Sequence, residues 1–206
     1  MVSRSIHSAS KINLLKAPNK SQYSQAGLTI HKWGEDNTGK IEYKFNSLGY
    51  RSNIEYNFIP EYAFFGASCV FGTGVDENKI FSSYFTNAFN FGLQTSELEK
   101  YGIDGKYDHL DILSTLINFN HSQLFNNHTK VAVVWTDRPN QPVDKFINIC
   151  NNILDFKLYH FKVGKHDSTL SINLKPNIDT DVSKTHGGPK THKLWHYQIQ
   201  KVLKQL

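Results

Sequence analysis

The sequence predicts an α/β domain built on a mostly parallel sheet. Two observations carry that prediction. Short apolar runs at Tyr62–Phe65, Lys130–Trp135 and Leu158–Val163 have the length and character of buried strands. Amphipathic stretches alternate with them, and glycine-bearing turns mark where runs give way to loops. The 206 residues include fourteen Phe, ten Tyr and three Trp, enough to fill a core in one or at most two domains.

Residues 1–26 are polar and rich in Ser, Lys and Gln, and read as irregular chain draped over the surface. Apolar and polar residues alternate at 28–33 (Leu28, Ile30, Trp33) and 41–45 (Ile41, Tyr43, Phe45). Turn chemistry separates them at Gly34-Glu35-Asp36-Asn37-Thr38-Gly39, which predicts a hairpin. The expected organisation is therefore an N-terminal extension with a β-hairpin over 1–58 and an α/β domain over 59–206. In the second part, Tyr62–Phe65 reads as a buried parallel strand, Gly66–Gly74 as a glycine-punctuated loop, and 77–88 as a helix. A helix is predicted over Tyr107–Phe119, with Leu110, Leu113, Leu116 and Ile117 on one face and Asp108 at its cap. Lys130–Trp135 is the strongest strand signal. Pro142 opens a helix with Phe146, Ile147, Cys150 and Ile153 on one side; Leu158–Val163 is another strand. Thr191–Leu206 places Trp195, Ile199, Val202, Leu203 and Leu206 on one helical face.

Composition excludes several classes. No apolar run approaches the roughly 18 residues of a membrane span, and the basic start lacks the apolar stretch of a secretory leader. Cys69 and Cys150 form no CxxC pair and no disulfide scaffold, so a reducing, cytoplasmic setting is expected. The net charge of +5 (23 − 18) comes from the ends, at Arg4, Lys11, Lys16 and Lys20 and at Lys184, Lys190, Lys193, Lys201 and Lys204. Without an aromatic-interleaved patch it reads as solvated termini, and nucleic acid is not an expected partner. His186, His192 and His196 lack the Glu of a His-Glu-x-x-His arrangement, so no metal is expected. Gly72-Thr73-Gly74 lacks the Lys-Ser/Thr ending of a phosphate-binding loop, and no cofactor is expected.

In an open parallel sheet, sites collect where strands end. Three such places stand out. Gly66-Ala67-Ser68-Cys69-Val70-Phe71-Gly72 follows the first strand; a Ser on a tight turn can present its hydroxyl to a carbonyl carbon while turn amides face the oxyanion. The plain alternative is a strand-to-helix turn with Ser as cap. Tyr101-Gly102-Ile103-Asp104-Gly105 precedes the Asp108 helix and can lend an amide to an anion, or be an ordinary βα turn. Thr185-His186-Gly187-Gly188-Pro189 precedes the last helix, and its His can serve as a general base or be structural like the other nine.

Together these blocks resemble the SGNH (GDSL-like) hydrolase superfamily. Gly66-Ala67-Ser68 with Gly72 stands for its first block and Gly102-Ile103-Asp104-Gly105 for its second. Val134-Trp135-Thr136-Asp137 stands for the third, and His186-Gly187-Gly188-Pro189 for the fourth. Asn46-Ser47-Leu48-Gly49-Tyr50-Arg51-Ser52 looks like the Asn-x-x-Gly-Tyr/Phe-Arg lead-in of one microbial and phage branch, so the resemblance covers about residues 46–206. It implies a flavodoxin-like three-layer α/β/α sandwich and a serine esterase or acyl-transfer enzyme acting on a small acyl ester, such as one on a carbohydrate, with no cofactor. On this resemblance Ser68 is the nucleophile, His186 the base and Asp181 its orienting acid, while Gly105, Thr136 and Asp137 fall at oxyanion or binding positions. The chain departs from the family pattern at three points: Ala67 replaces an Asp, Thr136 or Asp137 stands where an Asn is expected, and Ser183 replaces the Asp three before the His, leaving Asp181 and Asp179 as the nearest acids. These departures leave a second expectation, a catalytically inactive fold of this type that binds a glycan or a protein.

Overall fold

The computed structural model describes residues 14–17, 29–30, 41, 43–52, 54–93, 108–137, 141–164, 168–180 and 186–205. Near the start, β1 (Thr29–Ile30) and β2 (Tyr43–Lys44) pair antiparallel, as the alternation predicts; the turn expected between them at 34–39 lies outside the described residues. Among the described residues the main sheet has five strands: β3 (Tyr62–Gly66), β4 (Ala88–Gly92), β5 (Lys130–Thr136), β6 (Leu158–Val163) and β7 (Ile172–Asn173). Their order is β4-β3-β5-β6-β7 and every pairing is parallel. The helices are α1 (Ser68–Phe71), α2 (His109–Ser122), α3 (Val143–Ile153) and α4 (Pro189–Lys204).

Period-two alternation sends side chains to opposite faces of this sheet, and both faces are covered. Ala63, Phe65, Phe89, Phe91, Val131, Val133 and Trp135 pack beneath Ile112, Leu116 and Phe119 of α2 and Val143, Phe146, Ile147 and Cys150 of α3. Tyr62, Phe64, Ala132, Val134 and Phe161 pack against Val70 of α1 and Trp195, Ile199 and Leu203 of α4. The result is three layers of a doubly wound α/β fold. Strands β3 and β5 are neighbours joined through β4, so the order reverses between them, and this is where such sheets open a crevice.

The helices start where local chemistry dictates. Asp108 accepts from the amides of Leu110 (2.8 Å) and Asp111 (3.1 Å), while Asp111 accepts from the Asp108 amide, a reciprocal cap. Pro at the first position and lysines in the last turn suit α4. Two residues counted on apolar faces are instead exposed: Leu110, 60 % exposed in the first turn of α2, and Ile153 at the end of α3. No helix among the described residues is long and apolar enough to cross a membrane.

The helix predicted over 77–88 does not form. Two 3-10 turns (Glu77–Lys79 and Phe81–Tyr84) are followed by β4. The four-residue spacing of Phe81, Phe85 and Phe89 imitates a helical stripe, but Ile80 is extended and breaks it. Tertiary contacts replace the helical ones: the Phe81 amide donates to His192 Nδ1 at 3.3 Å. Nor is the loop after β3 irregular throughout, since it contains α1. The segment expected to drape over the surface is anchored at Leu15, which is fully buried, and the Ala17 amide donates to the Leu48 carbonyl at 2.8 Å.

Residues 43–56 build two devices against the sheet. Asn46 Oδ1 accepts from the amides of Leu48 and Tyr50, both at 3.1 Å, and Gly49 takes a left-handed φ of 83°, so the chain turns back and drives Arg51 inward. The Arg51 side chain, 1 % exposed, donates to the carbonyls of Phe71 (3.3 Å), Gly72 and Val75 (2.6 Å) and lies 4.1 Å from the Tyr43 ring centroid. Desolvation pulls its pKa down, and the nearby carbonyls and ring offset part of that cost. Tyr56 is buried against Phe89 and Phe91, and its hydroxyl donates to the Asn90 carbonyl (2.6 Å) and accepts from the Asn90 amide (2.8 Å). On the same face, under α3, buried His160 accepts from Trp135 Nε1 at 3.2 Å through Nδ1 and donates to Asn151 Oδ1 at 3.1 Å, and its desolvation pushes the pKa down to about 4.

Two predictions follow from these buried groups. Arg51→Met leaves three carbonyls without their donor and lowers the unfolding free energy by about 3 kcal/mol or more; a loss below about 1 kcal/mol in chemical denaturation refutes this account. For His160, the unfolded chain takes up the proton first, so stability drops as pH falls from 6.5 towards about 4 and levels off below. The drop is at most roughly 3 kcal/mol, and His160→Gln removes most of it from a pH series of denaturation curves.

Candidate active site

The end of β3 meets both neighbours at one level: Gly66 is paired with Gly92 of β4 and Val134 of β5. Two residues beyond Gly66 the chain reaches Ser68 at the start of α1; two residues beyond Val134 it reaches Thr136 at the end of β5. Both therefore stand just past or at the carboxyl ends of neighbouring strands, beside the point where the strand order reverses. The backbone of α1 lies directly on β4, where a Cβ on Gly92 would run into the backbone of Val70 and Phe71. Asn90 Nδ2 donates to the Val70 carbonyl at 2.8 Å and holds the helix from below.

His186 arrives from the other end of the sequence. The strand-like pairing of Thr180 with Gly187 closes the loop that carries it, and the Gly188 amide donates to the Asp179 carbonyl at 3.1 Å. Gly188 permits the close approach, since a Cβ there would strike the Thr180 carbonyl. His186 Nε2 lies 2.9 Å from Ser68 Oγ. Ser68 is 6 % exposed and His186 is half-buried, so bulk water screens this contact little.

The remaining sequence-predicted positions fall as follows. Thr136 Oγ1 is buried and has no hydrogen-bond partner among the described residues, while its carbonyl is 2.9 Å from His109 Nε2, which must donate to it. Asp137 is not an open carboxylate: it pairs at 2.7 Å with Lys162 Nζ, whose side chain is 4 % exposed. Gly105 and Asp181 lie outside the described residues. Cys69, next to the serine, is buried and packs in the apolar layer with Phe64 and Val70. His192 and His196 are packing residues here, against Trp195 and Phe81 for the first and Phe85 for the second.

Three more residues build the site; sequence reasoning missed His109 and Lys162 and singled out Asp179 only as one of the two acids nearest before His186. His109 is fully buried between Trp135 and Phe146 and fixes the end of β5; as one of ten histidines it carried no signal. Lys162 sat in a strand otherwise read as apolar. Asp179 accepts from the amides of Lys190 (2.8 Å) and Thr191 (2.7 Å), so its carboxylate faces α4. Burial alone would raise that carboxyl, but the hydrogen bonds from Thr191 and Lys190 outweigh it and hold the pKa below the usual value.

The chemistry open to such an arrangement is proton transfer from a hydroxyl to an imidazole beside a strand-end crevice. Its geometry depends on α1 lying flat on β4. Gly92→Ala should lift that helix, costing about 1–3 kcal/mol and lengthening the Ser68–His186 contact; an unchanged melting curve and contact in the variant's crystal structure refute the dependence.

No family model, curated protein or solved structure matches this chain.

Proposed function

We propose that the chain is a serine hydrolase of SGNH type, an esterase or acyl-transfer enzyme that acts on a small acyl ester such as one carried by a carbohydrate. The observation that carries this reading is the 2.9 Å contact between Ser68 Oγ and His186 Nε2, made across 118 residues at the switch point of a parallel sheet. Such a contact has no need to exist for packing alone, since each residue would serve its own loop without the other.

The reaction runs in two halves. The Ser68 hydroxyl gives its proton to His186 Nε2 as Oγ bonds to the ester carbon, and the carbonyl electrons move onto oxygen. The amides of Ser68 and Gly105 and the Thr136 hydroxyl receive that oxyanion. Collapse breaks the bond to the leaving alkoxide, which takes the proton back from His186. Water, or an acceptor alcohol, then repeats the sequence on the acyl-serine and frees the enzyme. Asp181 orients His186. Asp137 has its charge engaged by Lys162, which limits the repulsion a carboxylate would exert on a nearby oxyanion.

A fluorophosphonate probe tests this directly. The wild type should be labelled at Ser68, Ser68→Ala not at all with a melting temperature close to wild type, and His186→Ala about a hundredfold more slowly or less. Absence of labelling in a folded wild type overturns the reading in favour of a binding protein.

A further inference from the structure

We propose that Asp179 is the positioning residue that sets the Ser68–His186 contact, by fastening both ends of the His186 loop to the first turn of α4; the inference rests on the serine-hydrolase reading. Asp179 lies seven positions before His186, and its carboxylate faces the first turn of α4. Its carboxylate accepts from the Lys190 amide (2.8 Å), the Thr191 amide (2.7 Å) and the Thr191 hydroxyl (2.6 Å). The same hydroxyl oxygen accepts from the amides of Ile178 (2.9 Å) and Asp179 (3.2 Å), and the Asp179 carbonyl accepts from the Gly188 amide (3.1 Å). The chain entering the loop and the chain leaving it are thus joined at one neck.

That neck belongs to a rigid frame. Buried Trp195, Ile199 and Leu203 seat α4 on the sheet, Trp195 Nε1 donates to the Lys175 carbonyl (2.9 Å), and His192 Nδ1 accepts from the Phe81 amide (3.3 Å). Position is transmitted from the sheet to α4, from α4 through Asp179 to the loop, and from the loop to His186. A small displacement at the neck is enough to part a hydroxyl and an imidazole that must stay within hydrogen-bond reach.

The test compares second-order labelling rates of Ser68 by the fluorophosphonate across the titration range of histidine. Asp179→Ala should slow labelling about tenfold or more and flatten its pH dependence, because His186 no longer governs the hydroxyl. Asp179→Asn, which keeps an acceptor, should recover part of the rate. Asn126→Ala is the control: Asn126 accepts from the amides of His128 (2.8 Å) and Thr129 (3.1 Å) at the opposite end of the sheet, and its loss should leave rate and pH profile unchanged. A folded Asp179→Ala with wild-type rate and profile overturns the inference, as does an equal slowing in Asn126→Ala. If Asp179→Ala does not fold, the same criterion applies to Asp179→Asn and Thr191→Val. If the wild type itself is not labelled, the hydrolase reading fails separately. The His186 ring resonances then decide the geometry: unchanged shifts in Asp179→Ala refute the positioning role, and a move towards free-imidazole values supports it.

Discussion

A guanidinium buried almost completely must have its hydrogens accepted by something other than water. Arg51 directs Nη1 and Nη2 at backbone carbonyls from the last residue of α1 and the turn after it, so that stretch has to present Phe71, Gly72 and Val75 on one side. The same requirement accounts for its surroundings. Tyr43 lies against the guanidinium and its hydroxyl accepts from the Gly74 amide at 2.8 Å, tying β2 to the turn. The Asn46 turn exists to reverse the chain just before the arginine. The N-terminal part of the chain thereby supports the far end of the very helix whose first residue is Ser68.

The strand ends at the switch point gather residues from four directions, none close to another in sequence. β3 delivers Ser68, β5 delivers Thr136, α2 clamps the end of β5 through His109, and the loop before α4 delivers His186. Parallel pairing with identical levels at Gly66, Gly92 and Val134 makes this convergence possible, because successive strands then end together on one side. Two small residues at those ends let α1 descend onto the sheet. Packing in the two apolar layers is the source of the precision: the helices cannot shift without parting buried rings.

Much of the architecture was legible in the residues. β6 and the start of β5 fall where continuous apolar runs put them, and α2 begins beside the Asp expected to cap it. Ser68 and His186 were legible for a different reason, as small-residue loops following or preceding regular elements. What stayed hidden has physical causes. β4 alternates Phe with Asn and Gly, because Asn90 is needed for hydrogen bonds and Gly92 for space, and this dilutes the strand signal. Phenylalanines spaced by four suggested a helix that extended backbone at Ile80 forbids. β7 is two exposed residues with no apolar pattern to read. His109 acts through a backbone carbonyl, which leaves no mark in side-chain spacing.

The Tyr56 hydroxyl also has a bearing on solubility. Among the described residues β4 is one of the two outer strands of the sheet, and its outward amide and carbonyl at Asn90 are groups on which another extended chain would start to pair. One phenol satisfies both, while its ring lies flat on Phe89. A sheet so rich in phenylalanine at its margin would otherwise be a template for edge-to-edge association. A single aromatic side chain, borrowed from the segment before the first core strand, blocks that margin at its middle residue.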